Sequence, residues 1–303
     1  MMMVSVCMTT YNQERYIGEA IESVLRQETS FPIELVIGDD CSSDNTTAIC
    51  EEYAELYSNV FVHTHGKNRK GLARNLAAIW AECKGKYIAI FEGDDYWLSV
   101  NKLQAQVDYM EAHPEWAMCF TTTMVRDSDG NERVFPYPID YPDTLNISTI
   151  IRHNIIANCS VMYRAGIVPH LPHWMKQLPY CDIALHCLHA QHGPIGFVPD
   201  VVSVYRLHNE SAFEHLSFME RVNMSTAVYK AMGQYLKVPY RYEARQTLAM
   251  MYFGLALHNT RQPMKALRFI QQGLSTVSRV PLKHMPSLVP VAIEALSHTR
   301  LSR

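Results

Sequence analysis

The sequence predicts an α/β fold in which a Rossmann-like, mixed but mostly parallel sheet is flanked by helices, followed by a helical extension. Short apolar runs alternate with amphipathic helical stretches over roughly the first 100 residues. This alternation is typical of right-handed βαβ units, whose strands run parallel beneath a cover of helices. A change to helical, basic sequence near residue 215 divides the chain into two predicted regions, 1–215 and 216–303.

The predicted elements follow one another in a regular order. Short apolar runs predict strands at residues 4–9, 34–38, 60–63, 87–91, 117–122, 159–163 and 195–198. Apolar residues at helical spacing predict helices at residues 16–27, 43–57, 71–84, 102–113 and 182–191. From about Phe218 onward the chain reads as helical throughout.

Composition limits the class of protein. Apolar residues make up 48% and charged residues 19% of the 303 residues, which describes an ordinary globular chain. No run approaches the roughly 18 apolar residues that a bilayer-spanning helix needs, and the first residues lack the basic segment of a signal peptide. The eight cysteines form no CxxC pair. We therefore expect free thiols and a cytoplasmic location.

Charge is distributed unevenly along the chain. Residues 1–215 contain 15 Lys and Arg against 27 Asp and Glu, whereas residues 216–303 contain 12 against 3. The net charges of −12 and +9 indicate two functional zones, of which the basic one suits an anionic partner. We expect no nucleic acid partner, and a possible contact of the basic tail with the inner membrane face or with a lipid-linked acceptor.

Polar clusters follow three of the predicted strands at the point where each strand ends. They are residues 9–12, the pair Asp39-Asp40 and the pair Asp94-Asp95. Because ligands of parallel α/β sheets bind at the carboxyl ends of strands, these clusters are expected to meet in one crevice. The run from Glu92 to Trp97 holds three carboxylates and no basic residue. Such an oxygen-rich site suits Mg²⁺ or Mn²⁺, although a solvated acidic turn is the simpler explanation of an isolated Asp-Asp pair.

Several of these segments together resemble a known family. They are VSVCMTTYN at 4–12, ELVIGDDCSSDNT at 34–46, GLARN at 71–75, GKYIA at 85–89 and the Asp94-Asp95 pair. In order, spacing and strand context they resemble the family 2 inverting glycosyltransferases, which have the GT-A fold. The resemblance implies a donor half over residues 1–100 and an acceptor half over 101–215. Cys41 departs from the family, which usually has glycine there.

The resemblance implies a nucleoside-diphosphate sugar as donor, usually linked to uridine. Thr9, Tyr11 and Asp40 match the positions that hold the base, with Tyr11 stacking on it and Asp40 accepting from its ring N–H. Three further residues are donor-side candidates: Asn12, Glu14 and Arg74. An exposed carboxylate at a helix start explains Glu14 equally well, and a structural contact is almost as good an explanation of Arg74.

The same resemblance implies a divalent metal cofactor, Mn²⁺ or Mg²⁺, on the donor diphosphate. Asp95 is the main candidate ligand, with Asp94 shared between the ribose and the metal and His208 as a further ligand. Inversion requires a base that deprotonates the acceptor hydroxyl. Asp182 matches the family position of that base, although a carboxylate at a helix start can also be only a cap.

Aromatic and histidine residues are the remaining candidates. Trp97 and Trp174 are expected on the acceptor side, where an aromatic face suits a sugar ring, whereas Trp116 reads as core. His186, Cys187, His189 and His192 do not have the spacing of a common structural zinc site, so a helix with scattered histidines explains them better.

The sequence thus predicts a metal-dependent inverting glycosyltransferase that acts on a glycan or lipid-linked acceptor, with a role in cell-surface polysaccharide synthesis. Two alternatives remain open. A sugar-1-phosphate nucleotidyltransferase also uses a metal and a nucleotide, but its glycine-rich basic first loop is missing at residues 9–12. A non-catalytic nucleotide-sugar or glycan-binding module is disfavoured by the complete set Asp40, Asp94, Asp95 and Asp182.

Overall fold

A computed structural model describes residues 1–64, 66, 71–135, 144–208, 216–259 and 261–281, without the side chains of 200 and 201. The chain divides into two compact units. The first comprises Met1–Ile150 and Asn154–His215, and the second comprises Ile151–His153 and Leu216–Arg303.

The first unit is built on one mixed sheet. Its strands in the described ranges are β1 (Val4–Thr10), β2 (Ile33–Asp39), β3 (Val60–Thr64), β4 (Tyr87–Glu92), β5 (Tyr96–Trp97), β6 (Met118–Arg126), β7 (Glu132–Phe135), β8 (Thr144–Leu145), β9 (Met162–Arg164) and β10 (Ile195–Arg206). Their order in the sheet is β3-β2-β1-β4-β9-β6-β10-β5, while β7 pairs with β6 and β8 with β10. The pairs β3–β2, β2–β1, β1–β4 and β6–β10 are parallel. The predicted mixed, mostly parallel α/β sheet is therefore confirmed.

The helices of the first unit cover this sheet. They are α1 (Ile17–Leu25), α2 (Thr46–Leu56), α3 (Leu72–Trp80), α4 (Lys102–Ala112), α5 (Ile147–Arg152) and α6 (Asp182–Ala190), although the last two residues of α5 group with the second unit. Strands β1 and β4 are buried almost along their whole length, because helices shield the sheet. The apolar runs that predicted these strands thus form the centre of the core.

Three predicted elements differ from the structure. Residues 159–163 are not one strand: a 3₁₀ turn at Asn158–Ser160 precedes β9. The helix predicted at 71–84 already ends at Trp80, and β10 continues far beyond residue 198, past an irregularity between Val198 and Val202. This 3₁₀ turn brings Asn158 to the acidic loop, the segment Glu92 to Asp95 at the end of β4.

The second unit contains the helices α7 (Phe218–Tyr235), α8 (Tyr240–His258) and α9 (Pro263–Val277). Helix α7 begins with a capping box between Ser217 and Glu220. Gly273 of α9 lies against the ring of Phe253, so a Cβ atom there would be 2.4 Å from a ring carbon. None of the helices in the described ranges combines the length and the apolar composition that a bilayer crossing requires.

Candidate functional site

The carboxyl ends of three parallel strands meet at one edge of the sheet. Thr9 of β1 is in register with Gly38 of β2 on one side and with Glu92 of β4 on the other. The segments that follow these strands therefore begin side by side, as the sequence predicted. They carry Tyr11, Asp40 and Asp94.

The edge formed by β1 and β2 combines a buried polar floor with an exposed aromatic ring. Thr9 and Asp40 are 3% and 6% exposed, whereas Tyr11 is 47% exposed. Cys41 adopts a φ of 65°, in the left-handed region that favours glycine. The turn that the family usually makes with glycine is thus made here by an exposed cysteine.

Two of the predicted donor-side residues connect the loops that follow β1 and β2. Asn12, with a φ of 51°, accepts a hydrogen bond at Oδ1 from the Ser43 backbone N–H at 2.8 Å. Glu14 accepts from the backbone N–H of Asn45 at 3.0 Å and from its side-chain amide at 2.9 Å. These contacts give both side chains a structural role in shaping the loops. They do not support the prediction that Glu14 binds the donor.

Arg74 lies on α3, and its Nε donates to the carbonyl oxygen of Lys176 at 3.1 Å. This bond connects α3 to the 3₁₀ turn Met175–Gln177, which directly follows Trp174. Trp174 is half-buried, so part of its ring is accessible. A donor contact by Arg74 and a sugar contact by Trp174 both stay predictions.

The acidic loop after β4 divides its three carboxylates among different partners. Oε1 of Glu92 accepts from the side-chain amide of Asn158 at 3.1 Å. Asp95 is fully buried, and its Oδ1 accepts from the backbone N–H of Arg206 at 3.0 Å. Oδ2 of Asp94 lies 3.1 Å from Nε2 of His208. Asp94 thus faces the histidine, whereas Asp95 accepts from the backbone of Arg206, and the assignment of Asp95 as the main metal ligand stays a prediction.

Asp94 and His208 fit a divalent cation. A spacing of 3.1 Å between a carboxylate oxygen and an imidazole nitrogen is close to the separation of about 3 Å between adjacent ligands in an octahedral Mg²⁺ or Mn²⁺ shell. Within the described ranges, no three His, Cys, Asp or Glu side chains form a metal cluster. Two protein ligands suffice where substrate phosphates and water complete the shell, as is usual for Mg²⁺.

The electrostatics of the acidic loop also favour a cation. Burial raises the pKa of Asp95, and the negative charges of Asp94 and Glu92 raise it further. Burial likewise raises the pKa of Glu92, with the charge of Asp94 adding to the effect. Carboxylates with raised pKa values are costly to keep ionised together, and a bound cation removes that cost.

Asp182, the predicted base, is the first residue of α6. Its Oδ2 accepts a hydrogen bond from the side-chain amide of Asn154 at 3.2 Å. Burial raises the pKa of Asp182, while hydrogen bonds from the Ile183 backbone and Asn154 act in the opposite direction. The charge of Asp182 also contributes to the raised pKa of Glu92, which places the two carboxylates within electrostatic range.

The prediction that Trp97 faces the acceptor is wrong. Trp97 is 3% exposed, and its Nε1 donates to the carbonyl oxygen of Cys159 at 2.7 Å. Its ring packs on Phe91, with a centroid distance of 4.6 Å, and Nζ of Lys102 lies 4.2 Å from the ring centre. The indole is therefore part of the core beneath the acidic loop and has no free face for a sugar.

The two histidines of α6 are core residues. His186 is buried and its Nδ1 lies 2.6 Å from the hydroxyl of Tyr163. His189 is also buried, with Nδ1 3.0 Å from the carbonyl oxygen of Leu185. Burial lowers the pKa of both side chains to about 3, so both are neutral at physiological pH.

Three residues of the site were missed by sequence reasoning: Asn154, Asn158 and Arg206. The two amides lie between the predicted strands at 117–122 and 159–163, where no periodic pattern marks individual side chains. Arg206 follows the predicted strand at 195–198 and lies two residues before His208. Its proximity to His208 was the one available signal, because a charged residue near a candidate ligand is a plausible partner of it.

Comparisons with known proteins identify a family. Residues 5–168 match the family described as glycosyl transferase family 2. An uncharacterised protein of Mycobacterium tuberculosis is 34% identical over 219 residues, which cover 72% of this chain and 62% of that protein. This chain therefore spans less than two thirds of the length of its mycobacterial relatives.

Solved structures share the fold at low sequence identity. TarS of S. aureus, residues 1–349 in complex with UDP-GlcNAc, superposes with a TM-score of 0.67 and 20% identity, covering 97% of this chain and 89% of that one. A mannosyltransferase of Pyrobaculum calidifontis, in complex with GDP-Man and Mn²⁺, gives a TM-score of 0.57 and 15% identity, with coverages of 99% and 87%.

Proposed function

Because the chain belongs to glycosyltransferase family 2, we propose that it transfers a sugar from a nucleoside-diphosphate sugar to an acceptor hydroxyl with inversion at the anomeric carbon. The observation that carries the proposal is the arrangement of carboxylates. Asp94 lies beside His208 just after β4, and Asp182 is the first residue of α6, where its charge contributes to the raised pKa of Glu92. The first pair suits a diphosphate-bound cation, and the second position suits a base for the acceptor.

The proposed donor is a uridine diphosphate sugar. Tyr11 offers an exposed ring for stacking on the base, and Asp40 offers a carboxylate on the adjacent strand end. Thr9 lies on β1, two residues before Tyr11. The UDP-GlcNAc complex of the similar TarS fold is consistent with this choice.

A divalent cation held by Asp94 and His208 would supply neutralising charge for the departing diphosphate. Asp95 supports this pair indirectly, since its carboxylate accepts a hydrogen bond from the backbone N–H of Arg206. Glu92 is held by Asn158 at the side of the loop. The Mn²⁺ in the mannosyltransferase complex supports the choice of a metal for this fold.

Asp182 is the proposed base. One carboxylate oxygen accepts the proton of the acceptor hydroxyl. At the same time the hydroxyl oxygen forms a bond to the anomeric carbon, and the bond from that carbon to the diphosphate breaks. The amide of Asn154 orients the carboxylate by donating to Oδ2. A carboxyl group whose pKa is raised by burial is a stronger base once ionised than an exposed one.

We also propose that the second unit contacts an anionic membrane surface that carries a lipid-linked glycan acceptor of cell-surface polysaccharide synthesis. Residues 216–303 have a net charge of +9. Met264 and Leu274 of α9 are 79% and 58% exposed on a helix that also carries Lys265 and Arg268. A cytoplasmic location agrees with the free state of all eight cysteines.

Vesicle flotation tests the membrane proposal. The chain should float with vesicles that contain phosphatidylglycerol and much less with neutral vesicles. Replacing Met264 and Leu274 by serine should reduce the recovery. Equal recovery from anionic and neutral vesicles would contradict the proposal.

A donor screen tests the transferase proposal. The purified chain is incubated with UDP-, GDP- and TDP-sugars in Mn²⁺, and release of the nucleoside diphosphate is recorded with and without glycan acceptors. We expect release from a UDP-sugar that Asp182→Asn suppresses. Donor binding without release from any donor would instead support a non-catalytic binding module.

A further inference from the structure

The side chain of Arg206 connects the acidic loop to α1. Its Nη1 donates to the carbonyl oxygen of Asp94 at 2.8 Å, and its Nη2 pairs with the carboxylate of Glu19. Its backbone N–H donates to Asp95, as described above. The side chain of Arg206 therefore binds the main chain of Asp94, and the backbone N–H of Arg206 binds the carboxylate of Asp95.

Two tyrosine rings flank the same guanidinium. Its central carbon lies 4.2 Å from the ring centre of Tyr96 and 5.4 Å from that of Tyr16. The ring of Tyr16 is in turn 4.4 Å from the imidazole of His208, centre to centre. Tyr16 is thus a shared neighbour of Arg206 and of one member of the Asp94–His208 pair.

These contacts fix the positions of two side chains that would otherwise be mobile. Asp94 lies in a turn, and the hydrogen bond to its carbonyl oxygen restricts the peptide that follows it. His208 lies two residues beyond Arg206, past the end of β10, and its ring rests against Tyr16. A planar guanidinium can serve Asp94 and Glu19 at once because its donors are fixed in a fork, which an ammonium group lacks.

We infer that Arg206 is a positioning residue for the Asp94–His208 pair, with Glu19 and Tyr16 as its supports. Arg206 acts through Asp94 and Asp95, with which it makes hydrogen bonds, and so sets the relative position of the two ligands. This inference rests on the proposed function, because it assumes that the pair binds a divalent cation. Groups that orient metal ligands typically change metal affinity by about 10–100-fold when removed.

Arg206→Gln and Arg206→Lys test the inference, with Arg126→Gln as the matched control. Arg126 also lies over the Tyr96 ring, at 5.7 Å, but its guanidinium pairs with Glu132. The affinity for Mn²⁺ is measured by electron paramagnetic resonance in the presence of UDP. We expect both Arg206 variants to bind Mn²⁺ at least about 10-fold more weakly than wild type, and Arg126→Gln to bind it like wild type.

A second readout separates positioning from general loss of structure. UDP binding in EDTA and the melting temperature should stay near wild type, and saturating Mn²⁺ should restore much of kcat in Arg206→Lys. If Arg206→Gln does not fold, Glu19→Gln removes one support while leaving the arginine in place. We expect this variant to weaken Mn²⁺ binding in the same direction by a smaller factor.

The outcomes distinguish this inference from the proposed function. If Asp94→Asn leaves the Mn²⁺ affinity unchanged, the proposed cation site is wrong and the inference fails with it. If Asp94→Asn weakens Mn²⁺ binding but Arg206→Gln and Glu19→Gln bind it like wild type, only the positioning role is overturned.

Discussion

Nε2 of His208 lies 3.1 Å from Oδ2 of Asp94, although 114 positions separate the two residues in the chain. The strands that precede them, β4 and β10, are not neighbours in the sheet. The short strand β5, directly after the acidic loop, pairs antiparallel with β10, with Val204 opposite Tyr96. This pairing brings the loop and the end of β10 together.

Asp94→Asn and His208→Gln should each weaken Mn²⁺ binding to the UDP complex and reduce turnover. Each change removes one of the two proposed protein ligands. Loss of a residue that only orients a metal ligand weakens binding by about 10–100-fold, so we expect binding at least about 10-fold weaker here. Isothermal titration with Mn²⁺ in the presence of UDP provides the measurement.

The matched control for the histidine is His113→Gln. His113 lies at the end of α4 and pairs with Glu115 on the surface at 3.2 Å. The His113→Gln variant should bind Mn²⁺ like wild type. If His208→Gln also bound Mn²⁺ like wild type, the histidine would be only a hydrogen-bond partner of Asp94.

Asp182→Asn should lower kcat by about 10²–10⁴-fold, because the proton of the acceptor then has no base. The KM for the donor should change little, since Asp182 is placed on the acceptor side. Asp108→Asn, on the exposed surface of α4 next to Gln104, is the control. If Asp182→Asn kept the wild-type turnover, Asp182 would not be the base and would serve only as a carboxylate at the start of α6.

The acid limb of kcat/KM offers a second check on Asp182. Burial raises its pKa, and the base acts only when ionised. Activity should therefore fall at a pH above the ordinary aspartate value of about 3.9 as the solution is acidified. Asn154→Ala removes a hydrogen bond that favours the ionised form, so it should move this limb to still higher pH.

Local patterns were sufficient to predict most of the first unit. Apolar runs such as Tyr87 to Phe91 identified the central strands, because a buried parallel strand has apolar residues on both faces. The polar residues after them were correctly expected at one edge, since parallel strands end on the same side. Asp40 and Asp94 were found in this way.

Sequence patterns could not predict which side of the chain each loop residue faces. Trp97 was expected on the acceptor side because an aromatic face suits a sugar ring, but it lies on β5 and is buried in the core. The different partners of Asp94 and Asp95 could not be read from the sequence for the same reason, because both depend on the end of β10. Such tertiary pairings leave no periodic signal in the sequence.

Gly38→Ala should destabilise the first unit by about 1–3 kcal/mol, as overpacking of a tight contact does. Its Cβ would lie 2.5 Å from Oδ1 of Asn75 and 2.7 Å from a methyl carbon of Ile79, both on α3. Urea unfolding measures the change. Gly254→Ala is the control: no described atom lies within 4 Å of its added Cβ, so helix propensity should raise stability by about 0.5–1 kcal/mol. Equal stability of Gly38→Ala and wild type would mean that α3 shifts at little cost.

Lys102 should make the stability of the fold rise between pH 7 and pH 9. Its side chain is fully buried, and Nζ donates to Oε1 of Gln106 at 2.6 Å. Burial lowers its pKa to about 7, against about 10.4 in the unfolded chain. Between these values the unfolded chain binds a proton that the folded chain does not, so unfolding becomes harder as the pH rises.

Lys102→Met should remove this dependence. For one group with these two pKa values, the free energy of unfolding gains roughly 2 kcal/mol from pH 7 to pH 9, and the variant should lack that gain. Urea unfolding of both proteins at the two pH values measures the difference between their slopes, in which the contributions of other titrating groups largely cancel. The face of Trp97, 4.2 Å from Nζ, acts in the opposite direction because it favours the charged ammonium. Equal slopes in the two proteins would therefore show that contact with Trp97 and Gln106 keeps Lys102 protonated in the fold, and that burial does not determine its charge.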